Sequence, residues 1–76
     1  MKTGEAIKSI LKVKQITQAI LGDRLGGISH IIINQRLAQK NISMKLAADM
    51  LRVLDYKIVI VPRDTRLPDG CYEVES

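Results

Sequence analysis

Few side chains in this 76-residue sequence can act as a nucleophile, a general acid or base, or a metal ligand. There is one Cys, Cys71, and one His, His30. A structural zinc wants four thiolate or imidazole ligands, so the pair makes no metal set. A single Cys also excludes an internal disulfide, and Cys71 reads as a small strand residue. His30 has no orienting acid or Cys near it in the sequence, so it reads as a hydrogen-bond donor or surface residue rather than a catalyst. Asp23, Asp49 and Asp55 are scattered, with no second carboxylate placed to share a proton with any of them. They read as solvated helix surface or helix-end charge. The Gly26–Gly27 pair is a turn and not a phosphate cradle, because no loop of the needed length with a Lys follows it. The chemistry-bearing residues therefore point away from an enzyme, and to no cofactor, no metal and no small-molecule substrate.

The composition sets the frame for these residues. The length fits one small domain, residues 1–76. A chain of this size buries only roughly 60% of its unfolded surface, so its core is thin and a partner chain would help it. With no Trp or Phe and two Tyr, that core must be aliphatic. The net charge is +4. Residues 64–76 carry four acids against Arg66, net −3, so residues 1–63 hold eleven bases and four acids, net +7. A basic body suits an anionic partner such as nucleic acid. The same balance is common in proteins that bind nothing charged. The longest branched apolar run, Ile58 to Val61, is far too short to span a membrane. The N-terminus lacks a signal-peptide core. A reducing, cytoplasmic setting fits.

Four helical patterns come first. One runs from about Gly4 to Lys14, with Thr3 as its cap and Ile7, Ile10 and Leu11 as an apolar stripe. Lys14 falls on the same side. The second runs from Thr17 to about Leu25. Thr17 can cap it, and Ile16 and Leu21 stand at the spacing of a hydrophobic staple. Ile20 occupies the place where a capping box would put Glu or Gln, and it does not share the Leu21/Leu25 face. "LGGIS" (25–29) is a turn in which Gly26 suits a left-handed backbone. Ser29 caps the third pattern, roughly His30 to Gln39. The fourth starts at Asn41 or Ser43 and stripes Ala47, Met50, Leu51 and Leu54, with Met44 and Met50 as core fillers. The period then changes. "YKIVIVP" reads as a strand ended by Pro62, "LPDG" (67–70) as a type I turn, and "CYEVE" as a second strand. The link from Val61 to Cys71 is long for a hairpin, so the pairing of these strands is open. The predicted fold is mainly α: a compact four-helix bundle over residues 1–55, followed by a short C-terminal β-hairpin or strand pair over 56–76.

Two short helices joined by a tight glycine turn, the second led by a Ser cap, are the parts of a helix-turn-helix. Gly22, midway in the first of them, lets the two cross closely. Leu25, Ile28, Ile33 and Leu37 would be the glue between them.

On "TQAILGDRLGGISHIIINQRL" (17–37) and the following "NISMKLAADMLRVLDYKIVI", the chain resembles the lambda-repressor/Cro-like (Xre-type) helix-turn-helix family. Gln18, Gly22, Gly26, Ile28 and Ser29 fit the family spacing, with Gly27 as one extra turn residue. The resemblance covers about three-quarters of the chain. It implies a sequence-specific transcriptional regulator that binds double-stranded operator DNA, usually as a homodimer. The strands after the fourth helix look like a dimerisation or capping addition seen on some members. Carried over to this sequence, Gln18 would touch a phosphate, and Ser29 and His30 would sit at the groove's edge. Ile31, Asn34 and Gln35 would face base edges, and Lys40 and Asn41 would touch backbone. Arg36 is a further phosphate candidate.

Ile20 and Ile31 depart from that pattern, which has polar or small residues at both places. A helical wheel puts Ile33 and Leu37 inward, Gln35 outward with Ile31 beside it, and Ile32 on the outer flank. Three readings stay open. Ile31 reads a thymine methyl while Ile20 is a tolerated exposed residue. Or the wheel is slightly rotated and one of them is buried. Or Ile20, Ile31 and Ile32 form a protein-binding patch, natural or engineered, that makes a homo-oligomer at the expense of DNA binding. Ile58 and Ile60 offer a different dimer interface, through the edge of the C-terminal strand.

Overall fold

A computed structural model describes residues 1–75. Four helices follow one another: α1 (Thr3–Lys14), α2 (Gln18–Arg24), α3 (His30–Leu37) and α4 (Met44–Val53). An irregular arm, residues 56–75, completes the described chain.

The helix starts follow side-chain chemistry. The hydroxyls of Thr17, Ser29 and Ser43 accept the backbone N–H groups of Ile20 (3.1 Å), Ile32 (3.4 Å) and Leu46 (3.1 Å). Each satisfies a donor that the first helical turn leaves unpaired. At α1 the outcome differs from the sequence reading. Thr3 is already helical, the cap position is Lys2, and the Glu5 carboxylate accepts the Lys2 backbone N–H at 2.8 Å.

Three of the helices end in one way. After α1, Gln15 turns left-handed (φ 56°), its N–H donates to the Lys12 carbonyl, and Ile16 N–H donates to that of Leu11. After α4, Asp55 (φ 64°) donates to Arg52 and Tyr56 to Leu51. After α2, Gly26 (φ 101°) donates to Asp23 and Gly27 to Gly22. This paired closure is the Schellman motif. At α1 and α4 the residue after the left-handed turn, Ile16 or Tyr56, packs back onto the core and fixes the exit of the chain.

The core is aliphatic throughout. Ile7, Ile10 and Leu11 of α1, Leu21 of α2, Ile33 and Leu37 of α3, and Met50 and Leu54 at α4 form one buried cluster. No polar or charged side chain is buried among the described residues. Leu25 and Ile28 pack half-buried against it, as their place between α2 and α3 requires. Met44, expected as core filler, is instead 69% exposed. It is the first residue of α4, where Ala47, Met50 and Leu54 already fill the inward stripe.

Two glycines set how closely the helices approach. A Cβ added to Gly22 of α2 would overlap the carbonyl oxygen of Ile28, just before α3. A Cβ added to Gly4 of α1 would overlap the carbonyl oxygen of Leu37, the last residue of α3. Both ends of α3 are thus seated against backbone that tolerates no side chain.

The C-terminal β element is not formed. Among the described residues there is no strand, and 56–75 runs as irregular chain with turns. The linker is one cause. It closes two turns of its own, Pro62–Thr65 and Pro68–Cys71, through carbonyl–amide bonds of 3.0 and 3.4 Å, so no single tight turn aligns the flanking segments. The second turn sits one residue later than predicted, and its third residue, Gly70, has φ 90°, the sign of a type II rather than a type I turn. Anchoring is the other cause. The Tyr56 and Tyr72 rings meet in a tilted pair, centroids 6.3 Å apart and planes at 58°, and Glu75 N–H donates to the Met1 carbonyl at 3.0 Å. The returning segment is therefore tied to the body and not to residues 57–61. Both segments line an open groove of about 840 Å³, whose other lining includes Ile7 and Ile10 of α1 and Ala47 and Leu51 of α4.

The glycine seats make a direct prediction. Gly22→Ala and Gly4→Ala each lower stability by about 2 kcal/mol or more in urea unfolding, because the obstacle is backbone. Gly27→Ala, where a Cβ meets nothing within 4 Å, costs only the strain of its φ of 89°, about 1 kcal/mol.

Candidate nucleic-acid interface

The surface of interest is built by α2, the turn and α3. Gly26 and Gly27 reverse the chain with two successive positive φ angles. The carbonyl of Gly22 accepts N–H groups from both Gly27 (3.0 Å) and Ile28 (2.9 Å), which ties the turn down onto α2. Ile28 then packs inward and Ser29 caps α3. Gly27 is thus used as a hydrogen-bond donor and as a second left-handed residue of the turn.

With Ile33 and Leu37 facing the core, the rest of α3 is presented outward. His30, Ile31, Ile32, Asn34 and Gln35 are exposed and Arg36 is half-buried. Asn34 and Gln35 stand three and four residues beyond Ile31, so the three side chains are neighbours on one face. Ser29 is exposed beside them, and its hydroxyl, already accepting from Ile32, still has a proton to donate. Lys40 and Asn41 are exposed just past α3, and Gln18 is half-buried at the first position of α2. The candidate DNA contacts therefore lie on α2, on α3 or beside its two ends, and none is lost to the core; Ile58 and Ile60 lie apart from them on the arm.

The isoleucines are settled in one respect. Ile31 is 59% exposed, Ile32 41% and Ile20 40%, so no rotation of the wheel buries any of them. The outward face of α3 carries two amides, a hydroxyl, an imidazole and apolar groups, and no acid.

Few of the charged side chains are paired. Asp49 on α4 takes both Lys45 (3.1 Å) and Arg52 (3.5 Å), and the N-terminal ammonium approaches Glu75 (3.7 Å). Among the described residues the other ten Lys and Arg side chains have no acidic partner; Arg24, Arg36 and Lys40, on α2, on α3 and just after it, share that state with the bases of α1 and the arm. No group of three or more His, Cys, Asp or Glu side chains gathers where it could hold a metal ion, and no helix is long and apolar enough to cross a membrane, again among the described residues. Cys71 is a free, exposed thiol on the arm rather than a strand residue.

Two features escaped the sequence reading. Gly4 is one; its signal was a glycine placed inside a helix start, where its entropy cost demands a packing reason. The other is the extent of the arm's apolar exposure. Val59 and Val61 are exposed along with Ile58, and Ile60 reaches 93%. Read as a strand, Ile58 to Val61 would have been covered by a partner strand.

No family model, curated protein or solved structure matches the chain.

Separate roles for cap and face are measurable. Ser29→Ala removes the α3 cap and lowers stability by about 1 kcal/mol. Asn34→Ala and Gln35→Ala, fully on the exposed face, change it by less than about 0.5 kcal/mol. Denaturant midpoints of the three variants check both statements.

Proposed function

We propose that this protein is a sequence-specific transcriptional regulator of helix-turn-helix type that binds double-stranded operator DNA as a homodimer. The observation that carries the reading is the seating of α3: held at both ends by glycine–carbonyl contacts, it leaves Ser29, His30, Ile31, Asn34 and Gln35 facing outward together. A helix that reads the major groove needs this combination of rigid support and a free N-terminal half. Asn34 and Gln35 have the paired donor and acceptor that match an adenine edge, worth about 1–3 kcal/mol of discrimination each. Ser29 and His30 donate at the groove's edge. Gln18, Lys40 and Asn41 contact the phosphodiester backbone and set register and affinity rather than sequence choice.

The dimer contact in this reading is the arm. Residues 58–61 are apolar and exposed, and no backbone hydrogen bond among the described residues reaches 57–61. Such an edge is a template for another chain. The arm is also partly self-complementary in charge: Lys57, Arg63 and Arg66, with Asp64 among them, precede Asp69, Glu73 and Glu75. Two copies related by a two-fold axis, the commonest closed symmetry, bring unlike ends together and keep both α3 faces free.

A second reading has its own observation: the joint exposure of Ile20, Ile31 and Ile32. In that reading the α2–α3 face is itself the homo-oligomer interface, and DNA binding is weakened or lost.

Two measurements decide. Selection from a random duplex library enriches one sequence, whose affinity falls steeply with salt as counterions are released; absence of enrichment and of binding at low salt defeats the first reading. Light scattering then compares masses. Ile60→Glu yields a monomer and the pair Ile20→Glu with Ile31→Ser stays dimeric if the arm is the contact; the reverse pattern establishes the helix-face interface.

A further inference from the structure

We infer that Ile31 is a specificity-determining residue whose side chain seats on the C5-methyl group of a thymine, within two base pairs of an adenine bonded by Asn34 or Gln35. The inference rests on the DNA-binding reading above and names the class of base sequence that reading requires.

Ile31 is the most exposed of the three outward isoleucines of α2 and α3. Its neighbours on the same face are Asn34 and Gln35, both exposed. An isoleucine among amides on a groove-facing helix must cover something. Phosphates offer it nothing apolar, and the deoxyribose C–H groups line the groove's walls rather than the base edges that a reading helix faces. The base edges of the major groove carry acceptors, amino donors and one apolar group, the thymine methyl. Only there does the isoleucine remove apolar surface from water on both sides.

The same side chain acts against the alternatives. Over a cytosine it would cover an amino donor, and over a guanine two acceptors, while offering no hydrogen bond in return. A polar group desolvated without a partner is costly. Ile31 therefore selects for A·T and against G·C at one position. Ile32 is one residue further on, about 100° around the helix and off the line that joins Ile31 to Gln35.

Spacing ties the apolar and amide contacts together. Ile31 and Gln35 are separated by about one helical turn, or ~5.4 Å along the axis. Successive bases on a strand are ~3.4 Å apart. The thymine under Ile31 and the adenine bonded by Asn34 or Gln35 thus fall in the same or nearby base pairs. The half-site is a short A·T-rich step read as a unit.

The test uses the full chain and the duplex that library selection yields. Each thymine is replaced in turn by deoxyuridine, which removes the methyl and nothing else. Binding is followed by fluorescence anisotropy for the parent and for Ile31→Ala. One thymine per half-site is expected to weaken the parent about four-fold when demethylated, the effect of one buried methyl group. Ile31→Ala should lose that discrimination while keeping its melting temperature and its salt dependence. Cytosine placed at that position should bind better when it carries a 5-methyl group. A flat deoxyuridine scan overturns the inference and leaves the DNA-binding reading intact. So does a scan whose effect persists in Ile31→Ala. If the Ile31 substitution instead lowers the solution mass and leaves duplex preference unchanged, the residue belongs to a protein interface and the inference falls. If no duplex is bound at low salt, both readings fall together.

Discussion

The structure depends on two places where a backbone carbonyl lies against a glycine. Ile28 meets Gly22 and Leu37 meets Gly4, one contact at each end of α3. A helix of eight residues is too short to hold itself in water, so α3 exists only because its neighbours hold it. The apolar contribution comes from Ile33 and Leu37, which face α1 and α2 across the core. Those two side chains fix one face but allow sliding and tilting. The glycine seats remove that freedom, because a carbonyl in contact with a bare Cα has no flexible atoms to give way. The orientation of every outward residue of α3 follows from them.

Much of this was legible in the sequence, for reasons that differ by element. Thr17, Ser29 and Ser43 marked three helix starts, because a hydroxyl before an apolar period has a local job that needs no tertiary context. The inward pair Ile33 and Leu37 followed from the helical period, as did the outward Ile31, Ile32 and Gln35. Gly22 was readable as a crossing point. Gly4 was not, since nothing local reveals that its neighbour is the end of a helix more than thirty residues away. Met44 misled because composition speaks for burial while position in the first turn of α4 decides against it.

The arm was misread for a different reason. A run of β-branched residues such as Ile58 to Val61 reports a preference for extended backbone. A strand is more than that: it needs a ladder partner, and pairing is a property of two segments. Here the candidate partner, residues 71–75, is held to the start of α1 by Glu75 and to Tyr56 by Tyr72. Sequence can give the propensity of each segment separately, but the anchoring that keeps them apart lives in the tertiary structure.

The two tyrosines have a consequence of another kind. They are the only aromatic residues in the protein, and both sit where the arm meets the body. Lys14 reaches over the Tyr56 ring at 5.6 Å, so α1 is joined to the same spot. The aliphatic core is silent in the near ultraviolet. Every signal there, in absorption, circular dichroism or emission, comes from this one junction, whereas far-ultraviolet dichroism comes from the four helices. The molecule therefore carries two spectroscopically separate channels, one for the seating of its arm and one for the folding of its bundle.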